Sequence, residues 1–289
     1  MSGNGSATLP AATAMGAVHL TVADLERSLA YYRESIGLEP GERSAARVSL
    51  GAGGRELLVL HEEPGARPAP RSTGLYHFAL RVPERADLAR WLAHAARDRV
   101  PLAGLSDHFV SEAIYLADPD GHGIEIYHDR PRETWAGLVA SRLTTEPLDV
   151  TSLLGELGDP ETEPFDGLPA GTDMGHVHLQ VADTEASTGF YRDVLGFDLM
   201  AELFGSAAFY GAGGYHHHVG ANVWHSRGAG PPPSGSAALR LATVLLPDAD
   251  ERDRAAARVA DAGGEPEEAG GGVLVRDPSG IALLLAAAG

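Results

Sequence analysis

The chain has 289 residues, 44% of them hydrophobic, enough to build two domains of ordinary size around a substantial core. Its net charge is −18, and all 22 basic residues are arginine; an acidic surface of this kind disfavours nucleic acid and anionic lipid as partners. Cysteine is absent, which excludes disulfides and thiolate metal sites. No apolar run approaches the roughly 20 residues of a membrane helix. The opening MSGNGSATLPAATA has neither the basic start nor the apolar stretch of a signal peptide, so a cytoplasmic location is expected.

Residues 1–14 read as a flexible N-terminus. From Met15 the sequence MGAVHLTVADLERSLAYYRESIGL returns at Met174 as MGHVHLQVADTEASTGFYRDVLGF, an offset of 174 − 15 = 159 with about half the positions identical and no gap. Both copies read as a strand, an Asp-initiated helix and a Gly stop. GAGG follows each, at 51–54 and 211–214, before another strand; these glycines suit hairpin turns and not the helix-opening phosphate cradles. A second pair follows the same plan, starting at Leu75 and Leu239 and ending in DPDGHGIEIY and DPSGIALLLA.

Four similar βαβββ units result, at about 15–62, 74–129, 174–226 and 237–288. One such unit leaves a sheet face uncovered, so units should pair into cups. The expected fold is α+β: four βαβββ modules forming two cup-shaped mixed β-sheet domains. The first two modules (15–130) are expected to form a metal-binding catalytic domain, and the last two (173–289) a second domain lacking the metal triad. Residues 131–172, acidic and rich in Pro and Gly, read as a linker in which DVTSLLGEL can form a short helix.

Three polar residues occupy positions that alternation assigns to a cup-facing side. His19 lies in AVHLTV, His77 in LYHFAL, and Glu125 between two isoleucines in GIEIY. Each alone has an ordinary explanation, as a hydrogen-bonded core histidine or a solvated glutamate. Two imidazoles and one carboxylate on strands lining one cup can instead cap one face of an octahedral metal and leave positions open, a set suited to Fe(II), with Mn(II) as the other candidate. The corresponding positions of the second half are His178, Leu241 and Leu284, so the fold does not itself demand polar residues there. The run His216-His217-His218 resembles a metal motif, but those leucines favour a hydrogen-bonded polar network over a second metal. His122, in the DPDGHG turn, is expected to be solvated.

With these residues in place the sequence resembles the vicinal-oxygen-chelate superfamily of glyoxalases, bleomycin resistance proteins and extradiol dioxygenases, and within it the two-domain catechol 2,3-dioxygenases. The likeness spans about residues 15 to 288 and is most specific in SDHFVSEAIYLADPDGHGIEIYHDRPRETW and YGAGGYHHHVGANVWHSRGAG. It implies a metal held by His19, His77 and Glu125, with an aromatic diol and O2 as the reacting partners. It further implies that Tyr115, ten residues before Glu125, points at the substrate, and that His108 corresponds to a histidine near it. The acid-base histidine expected on the last strand of the first ligand-donating module has no match near Arg55, leaving His61 or His108 to supply it. The reaction implied is O2 insertion beside a hydroxyl-bearing ring carbon, giving a muconic semialdehyde-type product. A glyoxalase-like lyase or isomerase and a non-enzymatic drug-binding protein are the other readings, and a homo-oligomer is compatible with all three. The better-known two-domain dioxygenases keep the metal in the C-terminal domain, whereas this reading places it in the N-terminal one.

Overall fold

The computed structural model describes residues 8–158 and 164–288. The expected α+β fold of curled mixed sheets with few helices is present, and the four units have the anticipated composition. Their leading strands are Ala14–Val22, Gly74–Arg81, Asp173–Gln180 and Leu239–Leu246. Their closing strands are Arg55–Glu62, Gly123–Asp129, Val219–Asn222 and Ala282–Ala287. Helices begin where short acidic side chains can satisfy the first free backbone N–H groups. Asp24 accepts from the Arg27 N–H, Asp183 from Ala186 and Asp248 from Glu251, while Glu84 and Asp87 form a reciprocal cap. Gly37 and Gly196 stop the first and third helical segments in the left-handed conformation, at φ 90° and 98°.

The pairing of the units differs from the expectation. The leading strand of unit one lies antiparallel to that of unit four, and the leading strand of unit two antiparallel to that of unit three. One eight-stranded sheet therefore joins units one and four, and a nine-stranded sheet joins units two and three. The boundaries 15–130 and 173–289 consequently cut through both sheets. Any leading strand exposes a free edge of the same apolar pattern, so alternation alone cannot select its partner.

The segment between the halves is more than a tether. Trp135 is buried with Val110, Val139 and Ala207. Val150–Leu154 forms the short helix anticipated within DVTSLLGEL, and Glu146–Pro147 adds an edge strand to the nine-stranded sheet. Residues 159–163 of this segment, like residues 1–7 of the expected flexible start, lie outside the described residues. Leu9 is buried, and its N–H donates to the Gly196 carbonyl. His122 is also buried, with Nε2 2.9 Å from the Thr21 carbonyl oxygen. It ties the last turn of unit two to the first strand of unit one instead of facing water.

Candidate metal centre and substrate cavity

The junction of units two and three builds the site. In register, His77 stands opposite His178, while Ala79 lies between His176 on one neighbouring strand and Glu125 on the other. Side chains two residues apart share a face, so His77, His176, His178 and Glu125 all rise from the concave side. Ala79 leaves space above the sheet in which the longer side chains of His176 and Glu125 meet.

A bulge sets the phase of the third unit's leading strand. Met174 pairs with Leu80 and His176 with Ala79, so Gly175 is the extra residue. A Cβ at Gly175 would lie 1.7 Å from the Tyr127 hydroxyl oxygen. Glycine is thus required by the approach of a buried tyrosine from the strand beyond Gly74–Arg81, two strands away.

Among the described residues, His77, Glu125 and His176 form a group whose ligand atoms all lie within 4.8 Å of one another, and all three residues are buried. His176 Nε2 donates to Glu125 Oε2 at 3.1 Å. His77 Nε2 is 2.9 Å from the same oxygen but off the line of a hydrogen bond, so this buried nitrogen has no partner; neither does His176 Nδ1. Burial pushes the Glu125 carboxyl upward, but the neighbouring His176 and His77 outweigh it and hold the group well below the usual carboxylate range. A buried carboxylate flanked by two imidazoles, with a ring nitrogen close beside it but not bonded, has the donor chemistry of a divalent-metal site.

His19 is not part of this group. It lies on the other sheet, because its strand bonds to units one and four, and its Nδ1 is 3.2 Å from His61 Nε2. His61 is its partner on the adjacent strand and likewise stands apart from the centre. Burial, then the nearby His61, Arg47 and Arg240, lowers the His19 pKa to about 4. The position assigned to His19 is taken by His176, which sequence reading passed over in favour of His178 two residues on. The available signal was the repeat itself: where MGHVHL has His176, MGAVHL has Ala17.

A cavity of about 640 Å³ opens over the group. Tyr115, directly opposite Glu125 on the adjacent strand, lines it. Burial, followed by the Glu125 charge, raises the Tyr115 hydroxyl well above its ordinary pKa and keeps it protonated. His108 joins it, with Nε2 2.7 Å from the Tyr115 oxygen and Nδ1 2.8 Å from the Thr144 carbonyl oxygen. Only an N–H can bond that carbonyl, so a neutral His108 donates through Nδ1 and accepts the Tyr115 hydroxyl proton at Nε2. The crossing segment thereby orients the tyrosine; Leu143, Thr144 and Thr145 of that segment also line the cavity.

His178 and His217 add to the polar part of the lining, which also includes Ser106 and Ser111. Burial is the leading cause that puts both imidazoles well below their ordinary pKa, so each is neutral. His178 fits because the facing strand has Gly220, where a Cβ would lie 2.9 Å from its ring. The triple histidine precedes the closing strand Val219–Asn222 and does not lie within it. As anticipated, it belongs to a hydrogen-bonded network: His216 bonds both His217 and Asp129. The remaining walls include Tyr76, Trp224, Phe209 and Leu203, and among the described residues no arginine contributes to the lining.

Comparison with known proteins follows the same division into repeats. The family described as the glyoxalase/bleomycin resistance protein/dioxygenase superfamily matches residues 14–126 and 173–285. The chain is 44% identical over 272 residues to a catechol-2,3-dioxygenase of Bacillus subtilis (strain 168), covering 92% of this chain and 94% of that one. It is 30% identical over 199 residues to an iron-dependent extradiol dioxygenase of Rhodococcus jostii (strain RHA1), covering 61% and 56% respectively. Among solved structures, one from Bacillus subtilis subsp. subtilis str. 168 superposes with a TM-score of 0.71 at 14% identity, over 97% of this chain and 86% of that one. Glyoxalase I from Zea mays does so at 0.58 and 16%, over 95% and 92%, which speaks to the fold alone. The chain belongs to the glyoxalase/bleomycin resistance protein/dioxygenase superfamily.

Proposed function

We propose that this protein is an extradiol ring-cleaving dioxygenase acting on catechols, with His77, His176 and Glu125 as the ligands of Fe(II), and Mn(II) as the alternative ion. The observation that carries the reading is this buried group of two imidazoles and one carboxylate at the floor of a cavity large enough for a substituted ring. Its 44% identity to a catechol-2,3-dioxygenase over nearly all of both chains supports the same activity. When bound, the metal would supply a Lewis-acidic site with open positions for the diol and O2.

The chain's own groups divide the remaining work. His217 has a neutral ring on the cavity wall, packed against His176 with ring centroids 4.1 Å apart, and serves as the acid-base residue in place of His61. Tyr115, held by His108, offers its hydroxyl to a substrate oxygen. His108 therefore acts by orienting Tyr115. The apolar walls and the crossing segment restrict water around the reacting ring.

Among the described residues no arginine lines the cavity, which supports a narrower substrate class. A carboxylated catechol would leave its anion unpaired in this cavity. Leu203 and Trp224, which line it, are 40% and 44% exposed and give its mouth an apolar rim. The substrate is accordingly an uncharged catechol bearing an apolar substituent.

The test is anaerobic reconstitution with Fe(II), followed by aerated solutions of alkyl-, aryl- and carboxyl-substituted catechols, with O2 uptake and the yellow semialdehyde chromophore recorded together. Turnover is expected to favour the uncharged, substituted rings. No O2 uptake with any catechol, combined with activity on a thiol hemithioacetal, would replace this reading with a glyoxalase-like one.

A further inference from the structure

Behind the cavity, three side chains form a continuous hydrogen-bonded line. His217 Nδ1 lies 2.8 Å from His216 Nδ1, and His216 Nε2 lies 2.8 Å from Asp129 Oδ1. His216 is 1% exposed and shut away from the cavity, while His217 lines it. Asp129 is the last residue of the strand that carries Glu125. Its other oxygen, Oδ2, accepts from Arg81 at 3.0 Å and from the Tyr215 hydroxyl at 2.9 Å. Arg81 is fixed in turn by two bonds to Asp173, and the Tyr127 hydroxyl completes the set at 2.7 Å from that of Tyr215.

Elementary donor and acceptor rules give this line a direction. An ionised carboxylate only accepts, so His216 must carry its proton on Nε2 to bond Asp129. A neutral His216 then has a lone pair on Nδ1. With His216 neutral, two bare nitrogens cannot approach to 2.8 Å as a hydrogen bond, so His217 supplies the proton from its own Nδ1; a doubly protonated His216 would donate here instead, and the nitrogen spectra below distinguish the two. The nitrogen left unprotonated on His217 is Nε2, which bonds no described residue.

We propose that Asp129 and His216 are positioning residues that fix the tautomer of His217 and leave its Nε2 free to accept a proton from a catechol hydroxyl in the cavity. In that step the substrate O–H bond breaks and an Nε2–H bond forms, while the Nδ1 proton stays in its bond to His216 and stabilises the resulting cation. The proposal rests on the dioxygenase reading for the identity of the proton donor. The direction of the line does not depend on it.

Asp129→Asn reverses the line for a specific reason. Arg81 and Tyr215 both donate to Oδ2, so the amide of an asparagine turns its oxygen toward them and its NH2 toward His216. His216 then accepts at Nε2, carries its proton on Nδ1 and donates to His217, leaving His217 protonated on Nε2 instead.

The decisive measurement is ¹⁵N NMR of the imidazole nitrogens in metal-free protein, with His216 and His217 assigned from the spectra of His216→Gln and His217→Gln. Wild-type protein is expected to carry the His217 proton on Nδ1 and the His216 proton on Nε2, and Asp129→Asn to exchange both. With Fe(II) restored, Asp129→Asn should lower kcat by about a hundredfold or more with a much smaller change in KM. It should have no further effect in a His217→Gln background, because the two substitutions remove one function. A His217 proton found on Nε2 in the wild type overturns the proposal, whether or not the asparagine variant folds; unchanged tautomers in a folded variant do the same. Wild-type enzyme that cleaves no catechol defeats the functional reading alone, whereas wrong tautomers in an enzyme that does cleave it defeat the relay alone.

Discussion

His77 and His178 stand directly opposite each other where the leading strands of units two and three meet. Their pairing fixes which histidines can share a metal with Glu125: those of the second and third units, on one sheet. His176→Ala and Glu125→Gln should therefore each weaken divalent-metal binding by more than about a hundredfold, beyond the range seen when only a ligand's supporting partner is lost. His19→Ala should leave metal affinity unchanged. Calorimetric titration of the metal-free protein with Mn(II) measures all three; loss of binding in His19→Ala would contradict the assignment.

Tyr115→Phe separates the tyrosine's chemistry from its packing. The ring remains between the strands, while the hydroxyl held by His108 is removed. Metal affinity should hold, and kcat should fall by about a hundredfold for a lost proton or hydrogen-bond donor. Steady-state kinetics beside a metal titration checks both halves of this expectation. An equal fall in metal content would instead mark Tyr115 as a support for Glu125.

Gly175→Ala tests the bulge. The added methyl meets the Tyr127 hydroxyl oxygen at 1.7 Å and the ring carbon behind it at 2.6 Å. Tyr127 is wholly buried, with its hydroxyl bonded to Tyr215, so its ring has little room to retreat. A loss of about 1–3 kcal/mol is expected from overpacking, read from the denaturant midpoint. Tyr127→Phe in the same chain should recover only part of it, since the ring carbon remains.

Asp277 carries a pH signature of the opposite sense to that of most carboxylates. Its burial outweighs the hydrogen bonds from the Ile281 and Ser279 N–H groups and the Tyr191 hydroxyl, and raises its pKa from the ordinary 3.8 to about 6. The native state then holds its proton more tightly than the unfolded chain. Stability should fall as pH rises from 3.8 to about 6 and stay at the lower level above it. The gap corresponds to about 3 kcal/mol. Subtracting the stability profile of Asp277→Asn from that of the wild type isolates the effect; a flat difference between pH 4 and pH 6 would refute it.

The sequence reveals much of this architecture, because repetition and alternation are local properties. Leading strands, Asp caps, the glycine stops and Glu125 all follow from spacing within one unit. Which unit meets which does not, because the leading strands of all four share an apolar pattern and the choice is made by tertiary packing. His19 was misplaced for that reason, and His61 with it. His176 was legible in principle through its contrast with Ala17, but it competed with His178 at a spacing that puts both on the same face. The pairing of Asp129 with His216 was beyond reach, since 87 residues separate two groups whose meaning comes from a single hydrogen bond.

The interleaved pairing has a consequence for how the molecule holds together. The first half contributes two units to two different sheets, and the second half supplies the complement of each. Neither half alone can bring His176 to His77 and Glu125. A polypeptide severed within the crossing segment would leave two fragments, each with half of two unfinished walls, whose route to a working centre is to embrace the other. Duplication has in this way produced an obligate couple from what looks, on paper, like a pair of self-sufficient siblings.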